Sequence, residues 1–508
     1  MDEDEQLPID DSSPNAPLLG GDSSAEGQSR ESLKPWHIVT APPAISAVAC
    51  VGIFLWVLSG MIIIVPAARL AEDILCRRHY GRVDSDPIDE ELCKAEEIQS
   101  SMAWIFGLTI SLGTVVGLVV MIPYGVLADR ARKPVYLLAA VGQFANVAWS
   151  LLALRFWRVL PIELIVLGPV LELIGGGLTM AGVVLYAIIS DVNAAENRAI
   201  IYFFSALAAN VAVFIGPLLA SKMIQIWSPW VPMSLSLVAT TLAGSIILLI
   251  PETAHRTELM HRDDGNRAGA NDQGWRVAIK SQVAYVFSHS NLRSLLKKRS
   301  VILLLLVSFL TAPLRLGTGT IFLQYYSKRF GKPIEEAGYM LAIRGGLTIV
   351  VVGVLLPLLS KCIGPSSYFR LSALRRDLVL AQGSAAVAGL GYFFLGGPDS
   401  AFLISGIVIL SLSTGIGPLS QSLISNLVAP SQTSQVFTIA SIVEGIGSLP
   451  AGPFLAWTFS YGMRLGGLWL GLPFFSLGTL GFLALAVLCF IDAKPGATDL
   501  DAGDEEED

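Results

Sequence analysis

Twelve separate apolar runs, each long enough to cross a hydrocarbon layer of about 30 Å, constrain this chain more than any other feature. They lie near 43–68, 101–128, 134–156, 160–190, 196–222, 228–250, 300–325, 335–361, 378–396, 399–428, 434–460 and 464–491. In lipid every backbone N–H and C=O must be satisfied within the segment, which leaves the helix as the solution for single apolar runs. The expected fold class is therefore an all-α membrane protein with twelve transmembrane helices. Composition agrees, because 53% hydrophobic against 15% charged residues is too apolar for a soluble multidomain chain. An even number of crossings places both termini on one side. More of the 34 Lys and Arg fall in the tails and in the loops after even-numbered runs than in the other loops, so that side is expected to be the cytoplasm.

The polar segments divide the chain. Residues 1–40 and 493–508 read as disordered acidic tails, 41–250 and 300–492 as two six-helix bundles, and 251–299 as a cytoplasmic linker. Much of the acid behind the net charge of −7 sits in those tails, which argues against a nucleic-acid partner. No signal-peptide-like apolar core occurs in the first thirty-five residues, so the first run is expected to direct insertion itself. From Trp275 to Lys280 the linker alternates apolar and basic residues, which suits a helix lying on the inner membrane face as well as a solvated connection.

The halves also resemble each other internally. Displaced by 236 positions, Ile215-Gly216-Pro217-Leu218-Leu219-Ala220 falls on Ala451-Gly452-Pro453-Phe454-Leu455-Ala456. Such symmetry is expected of a transporter built from two related bundles. Between the second and third runs, Gly125 to Lys133 ends an apolar stretch in one acid and three cations. Asp129 stands where its own helix dipole is negative, an unfavourable place unless Arg130, Arg132, Lys133 or the start of another helix lies close.

In these features the chain resembles the major facilitator superfamily over roughly residues 40–492. Gly125, Asp129, Arg130, Arg132 and Lys133 match that family's signature between helices 2 and 3, with Ala131 where the family usually has glycine. Asp191 with Arg198, and Pro251-Glu252-Thr253 with Arg256, are further matches. The resemblance implies the major facilitator fold, two pseudo-symmetric six-helix bundles. It also implies a gating network made by Gly125, Asp129, Arg130, Arg132, Lys133, Asp191, Arg198, Glu252 and Arg256, with Asp129 meeting the start of helix 11 near Ser431 to Ser434. A looser similarity to fungal general-substrate and efflux-type facilitators rests on 323–331 and 371–377.

Four ionisable residues stand inside apolar runs, where their desolvation cost makes function the default reading: Glu172, Arg315, Arg344 and Glu444. At about 1.5 Å per residue, Arg344 is ~13 Å from one end of its helix and Glu444 ~15 Å from an end of its own, near the membrane midplane. The two acids are the candidates for proton coupling, and static helix-locking pairs are the structural alternative. Arg315 and Arg344, with Asn210, Gln324, Gln421 and Gln143, are the candidates for substrate contact. Glu172 occupies a position where proton-coupled drug antiporters of the family usually carry arginine, and Ala212 and Ala220 replace glycines of the family's antiporter motif. Cys76 and Cys93 share one polar loop expected to lie outside, where an oxidising compartment permits a disulfide.

No phosphate-cradling Gly-x-x-x-x-Gly-Lys-Ser/Thr loop and no His-Glu-x-x-His pair occurs, so neither an ATP-driven pump nor a metalloprotease is expected, and no metal or cofactor. The sequence reading is a monomeric multi-pass secondary transporter of the plasma membrane. Its partners are the lipid bilayer, protons and a small organic molecule, exported by proton-coupled alternating access. Proton-coupled nutrient uptake, and a transport-inactive sensor or scaffold, are the alternatives; an internal membrane is the alternative location.

Overall fold

The computed structural model describes residues 39–82, 88–254, 299–355, 358, 373–428 and 433–491. The acidic tails, nearly all of the linker with Arg256 and Trp275 to Lys280, and Ser431 at the head of the eleventh run lie outside the described residues. Twelve helical spans long and apolar enough to cross a membrane are present, numbered 1 to 12 here: Pro42–His79, Glu96–Arg130, Arg132–Arg155, Ile162–Val192, Ile200–Ile226, Trp230–Leu249, Arg299–Leu316, Ile334–Leu355, Leu374–Leu395, Ser400–Ser425, Val436–Leu465 and Gly467–Cys489. Large apolar side chains such as Val119, Val238, Leu242, Val350 and Ile404 are exposed along them, which is the surface a bilayer covers. Exposed Trp227, Tyr461 and Trp469 stand at one end, where amphipathic rings favour the membrane–water boundary.

Several apolar runs that read as continuous are interrupted. In span 4 a 3-10 segment, Ile162–Leu173, gives way to an α-helix, Gly177–Val192. Between them Gly175, Gly176 and Gly177 all adopt positive φ, 85°, 84° and 53°, a region costly for any residue with a Cβ. A Cβ on Gly175 would stand 2.1 Å from the backbone of Leu138, so the break is also where span 4 touches span 3. Span 7 stops at Leu316, just past Pro313. The chain turns through Gly317 to Gly319 before a separate short helix, Thr320–Phe330. Span 11 consists of Thr433–Ser448 followed by Ala451–Leu465.

The spans pack as two halves, 1 to 6 and 7 to 12, whose described residues share an apolar core at one end and form separate cores at the other. Among the described residues, one apolar core combines side chains of both halves, including Ile74, Met102 and Phe106 with Tyr325, Leu455 and Phe474. At the opposite end, which carries Gly125 to Lys133, each half has a core of its own: Ile45, Val135 and Ile188 in the first, Leu304, Leu423 and Leu488 in the second. The two helices that carry the internal repeat lie on the seams between halves. Span 5 lies against span 8, where a Cβ on Gly345 would be 2.9 Å from the Phe214 backbone, and span 11 lies against span 2, where a Cβ on Gly452 would be 2.1 Å from the Gly107 carbonyl oxygen. The repeated Gly-Pro steps thus mark equivalent helices, each crossing to the other half.

At the joined end Cys76 and Cys93 form a disulfide across a sequence separation of 17. Closing a loop of that length in the unfolded chain is worth about 3 kcal/mol. The double variant Cys76→Ser/Cys93→Ser is accordingly expected to melt at a lower temperature in detergent. An unchanged Tm would show that the bridge adds no stability.

Candidate functional site

A cavity of about 440 Å³ opens in the second half, between the shared core and that half's own core. Its charged lining is Arg315 from span 7, Arg344 from span 8 and Glu444 from span 11. The interruptions of the helices place them: Arg315 precedes the glycine turn that ends span 7, and Glu444 stands in the last turn before span 11 is broken. Arg315 and Glu444 are ion-paired, with side chains 60% and 30% exposed, so the pair meets the open space. Arg344 donates through Nη1 to Thr318 Oγ1 at 2.6 Å, and its buried Nε has no hydrogen-bond partner among the described residues. Tyr392 closes the wall by donating to the Leu314 carbonyl, one of the groups near the end of span 7.

Gln421 lines the same space. The other polar candidates lie elsewhere. The break after Leu316 turns Gln324 away from span 7 into the helix Thr320–Phe330, where it is fully buried with both amide atoms unpaired among the described residues. Gln143 is buried within span 3, and Asn210 donates its amide to the Ala206 carbonyl of its own helix. Glu172 does not join the two arginines; it accepts a hydrogen bond from Asn146 and lies beside Gly177, where an added Cβ would meet its carboxylate at 2.6 Å. The carboxylate therefore lies at the start of the helix Gly177–Val192, whose positive dipole end favours an anion.

At the separated end the Gly125 to Lys133 stretch is tied to its own half. Arg132 binds Asp191 at 3.1 Å and Asp129 at 3.0 Å. The Glu252 carboxylate accepts from the backbone N–H groups of both Arg132 and Lys133 at 3.0 Å, capping the start of span 3 where free N–H groups concentrate positive charge. Thr253 donates to Asp191 at 3.3 Å, Lys133 Nζ to the Ile250 carbonyl at 2.7 Å, and Arg198 to the Asn193 carbonyl at 3.0 Å. Ala131 has φ −152° and ψ 104°, extended backbone that alanine adopts freely, so the departure from glycine costs nothing here. Asp129 is 67% exposed, Arg130 is at the surface, and a Cβ on Gly125 would meet nothing within 4 Å.

The joined end holds a charge cluster that the sequence reading missed. Glu72 is fully buried, receiving Lys94 and Gln99 at 2.7 Å each and Arg69 at 3.3 Å. Arg69 also pairs with Glu90, and reaches Glu335 of the second half at 3.8 Å. Further links cross between halves: Lys328 to the Lys94 carbonyl, Arg464 to Glu96 at 3.1 Å, Ser100 with Ser460 at 2.7 Å, and Ser111 to the Leu449 carbonyl at 2.6 Å. Burial pushes the Lys328 ammonium below its ordinary range, with Glu96 opposing and Lys94 adding. Arg69 and Glu72, three residues apart just beyond the first apolar run, were the signal. Asp377, buried with Arg376 at 3.1 Å and Ser422 at 2.6 Å, is a second buried acid outside the candidate set.

Comparison with known proteins places this geometry in context. The model of the Major Facilitator Superfamily matches residues 48–452. A curated relative, the MFS efflux pump atnC of Emericella nidulans, is 28% identical over 90% of this chain and 91% of its own length. The efflux pump ustT of Aspergillus flavus is 24% identical over 84% of each chain. Among solved structures, a D-xylose–proton symporter superposes with a TM-score of 0.58 at 14% identity, covering 88% of this chain and 96% of the other, a likeness of fold.

Proposed function

The chain belongs to the Major Facilitator Superfamily, and we propose that within it this transporter exports a small organic molecule in exchange for protons, by alternating access. The observation that carries the reading is the Arg315–Glu444 pair, set at helix breaks inside the cavity of the second half. A carboxylate in a solvent-reached cavity can take up a proton, and doing so releases its arginine partner. Protonation is then coupled to a local rearrangement where helices are already interrupted. Glu172, beside the glycine break of span 4, is the second proton candidate. Arg344, Arg315 and Gln421 are the substrate contacts; Gln143, Asn210 and Gln324 fit a packing role better. Export is favoured over uptake by the fungal efflux pumps that cover most of the chain.

In this reading the disulfide end faces outward in the plasma membrane and is the closed side, held by Arg69–Glu335, Arg464–Glu96 and the Gly107–Gly452 contact. The separated end faces the cytoplasm. Asp129, Arg132, Asp191, Glu252 and Lys133 keep spans 2, 3, 4 and 6 together as that end opens and closes, with Gly125, Arg130 and Arg198 beside them. Asp129 is paired at home in the open state and turns to span 11 when the end closes. A single chain supplies both halves, so the working unit is a monomer.

Asp129→Asn is expected to leave the folded amount in the membrane unchanged and to slow transport by about tenfold, a barrier change of ~1.4 kcal/mol. Initial rates of export from cells expressing equal amounts of each protein check this. Wild-type rates in the variant would remove Asp129 from the cycle and favour a scaffold.

A further inference from the structure

We propose that the cargo is an organic anion, an amphipathic acid whose carboxylate docks on Arg344; the inference rests on the reading of the second-half cavity as the transport site. Charge balance comes first. Arg315, Arg344 and Glu444 are the ionisable residues of opposite or like sign that line the space, and Arg315 is already held by Glu444. Arg344 is left without a carboxylate among the cavity-lining residues, and its side-chain bond among the described residues goes to the neutral hydroxyl of Thr318. A guanidinium lining a partly apolar cavity without a counter-ion is costly, and a substrate carboxylate would relieve that cost.

Donor bookkeeping points the same way. The hydroxyls of Thr311, Ser413, Thr414, Ser420 and Ser441 donate to backbone carbonyls three or four residues earlier. They are thereby committed as donors. Arg344 Nε is buried and has no hydrogen-bond partner among the described residues, although a planar guanidinium presents five donors in a fixed fork. A substrate carboxylate is the acceptor that matches such a fork in charge and in geometry. The same wall has Leu314, Ala388, Tyr392, Ile424 and Phe437, so an apolar body is accommodated beside the charged group. An amine of the same size would meet two arginines and a carboxylate that is already engaged.

The energetics of export are consistent with such a cargo. An anion leaving the cell and a proton entering both move positive charge inward, so an inside-negative membrane potential drives both steps. The exchange is then electrogenic, whereas a monocation exchanged for one proton would move no net charge.

The test is binding to the purified full-length protein in detergent, read as displacement and thermal shift. The probes are benzoate, naphthoate, indole acetate and decanoate, each with its primary amide and its amine. At least one acid is expected to bind tenfold or more tightly than its amide and amine. Arg344→Gln should remove that preference by about tenfold, and Arg344→Lys should restore part of it, which a merely structural arginine would not do. If Arg344→Gln does not fold, current measured on wild-type protein in proteoliposomes decides: outward positive current when the preferred acid is added to the bath, its anion entering as a proton leaves, supports the proposal, and electroneutral exchange overturns it. Equal or better binding of amides or amines, binding by none of the acids, or an unchanged acid preference in Arg344→Gln also overturns it. Acid-selective binding without any proton-driven flux would instead count against the export reading and leave the cargo class standing, while proton-driven export of amines would do the reverse.

Discussion

Glu444→Gln is expected to abolish transport driven by a pH gradient while leaving the protein folded and inserted. The amide keeps the size of the side chain and can still hydrogen-bond Arg315, but it can neither carry the proton nor form the ion pair. Removing one partner of a fully buried pair is strongly destabilising, several kcal/mol. Here the arginine is more than half exposed and remains solvated, so stability should change little. The expected signature is a split: proton-driven accumulation falls to background, and exchange of substrate at equal concentrations on the two sides persists. Vesicle fluxes with and without an imposed pH difference measure both. Loss of exchange as well would make Glu444 a structural residue, and unchanged coupling would transfer the proton to Glu172.

The second large effect is expected at the seam between spans 2 and 11. Gly452 and Gly107 meet backbone to backbone, and a Cβ on Gly452 would stand 2.1 Å from the Gly107 carbonyl oxygen. No rotamer change relieves a clash with backbone, so Gly452→Val has to push the spans apart at the disulfide end. The links beside it, Ser100 with Ser460 and Ser111 with Leu449, would lengthen with it. Transport should fall by more than about tenfold, because a carrier that cannot close one end cannot complete the cycle. A cysteine placed in the cavity should become reactive to a membrane-impermeant reagent added from the disulfide side. Normal transport with an unreactive cavity would show that this contact does not gate.

Twelve apolar runs, the division into halves and the Gly-Pro repeat were all legible in the sequence, because each rests on length or on a pattern written along the chain. That the two repeat-bearing helices, spans 5 and 11, occupy the two seams is shown only by the structure. Less was legible at the breaks. Gly175 to Gly177 are three glycines within an unbroken apolar run, and only the backbone shows three successive positive φ values. The run 300–325 read as one helix because Gly317 to Gly319 are apolar enough to leave hydropathy unbroken, and this carried Gln324 into the wrong segment. Glu72 was hidden for the opposite reason. Span 1 continues well past its apolar stretch, to His79, because the charges of its last turns find partners, Glu72 in Lys94 and Arg69, and Arg77 in Asp73. Hydropathy registers a residue's own character and not its partner, so a buried acid at the edge of a run reads as loop. The cavity was legible as a set of intramembrane charges, but which of them meet depends on how far each helix runs before it is interrupted.

The most direct test of proton-coupled export uses inverted plasma-membrane vesicles from cells that express the chain and from cells that lack it. The vesicles are loaded at acid interior pH, diluted into a neutral extract of the cell's own small organic metabolites, and assayed for what they accumulate. The account predicts that at least one compound is concentrated inside the expressing vesicles only, and that a protonophore and Glu444→Gln each abolish the accumulation. Identical contents in both preparations, or accumulation that survives the protonophore, would contradict it.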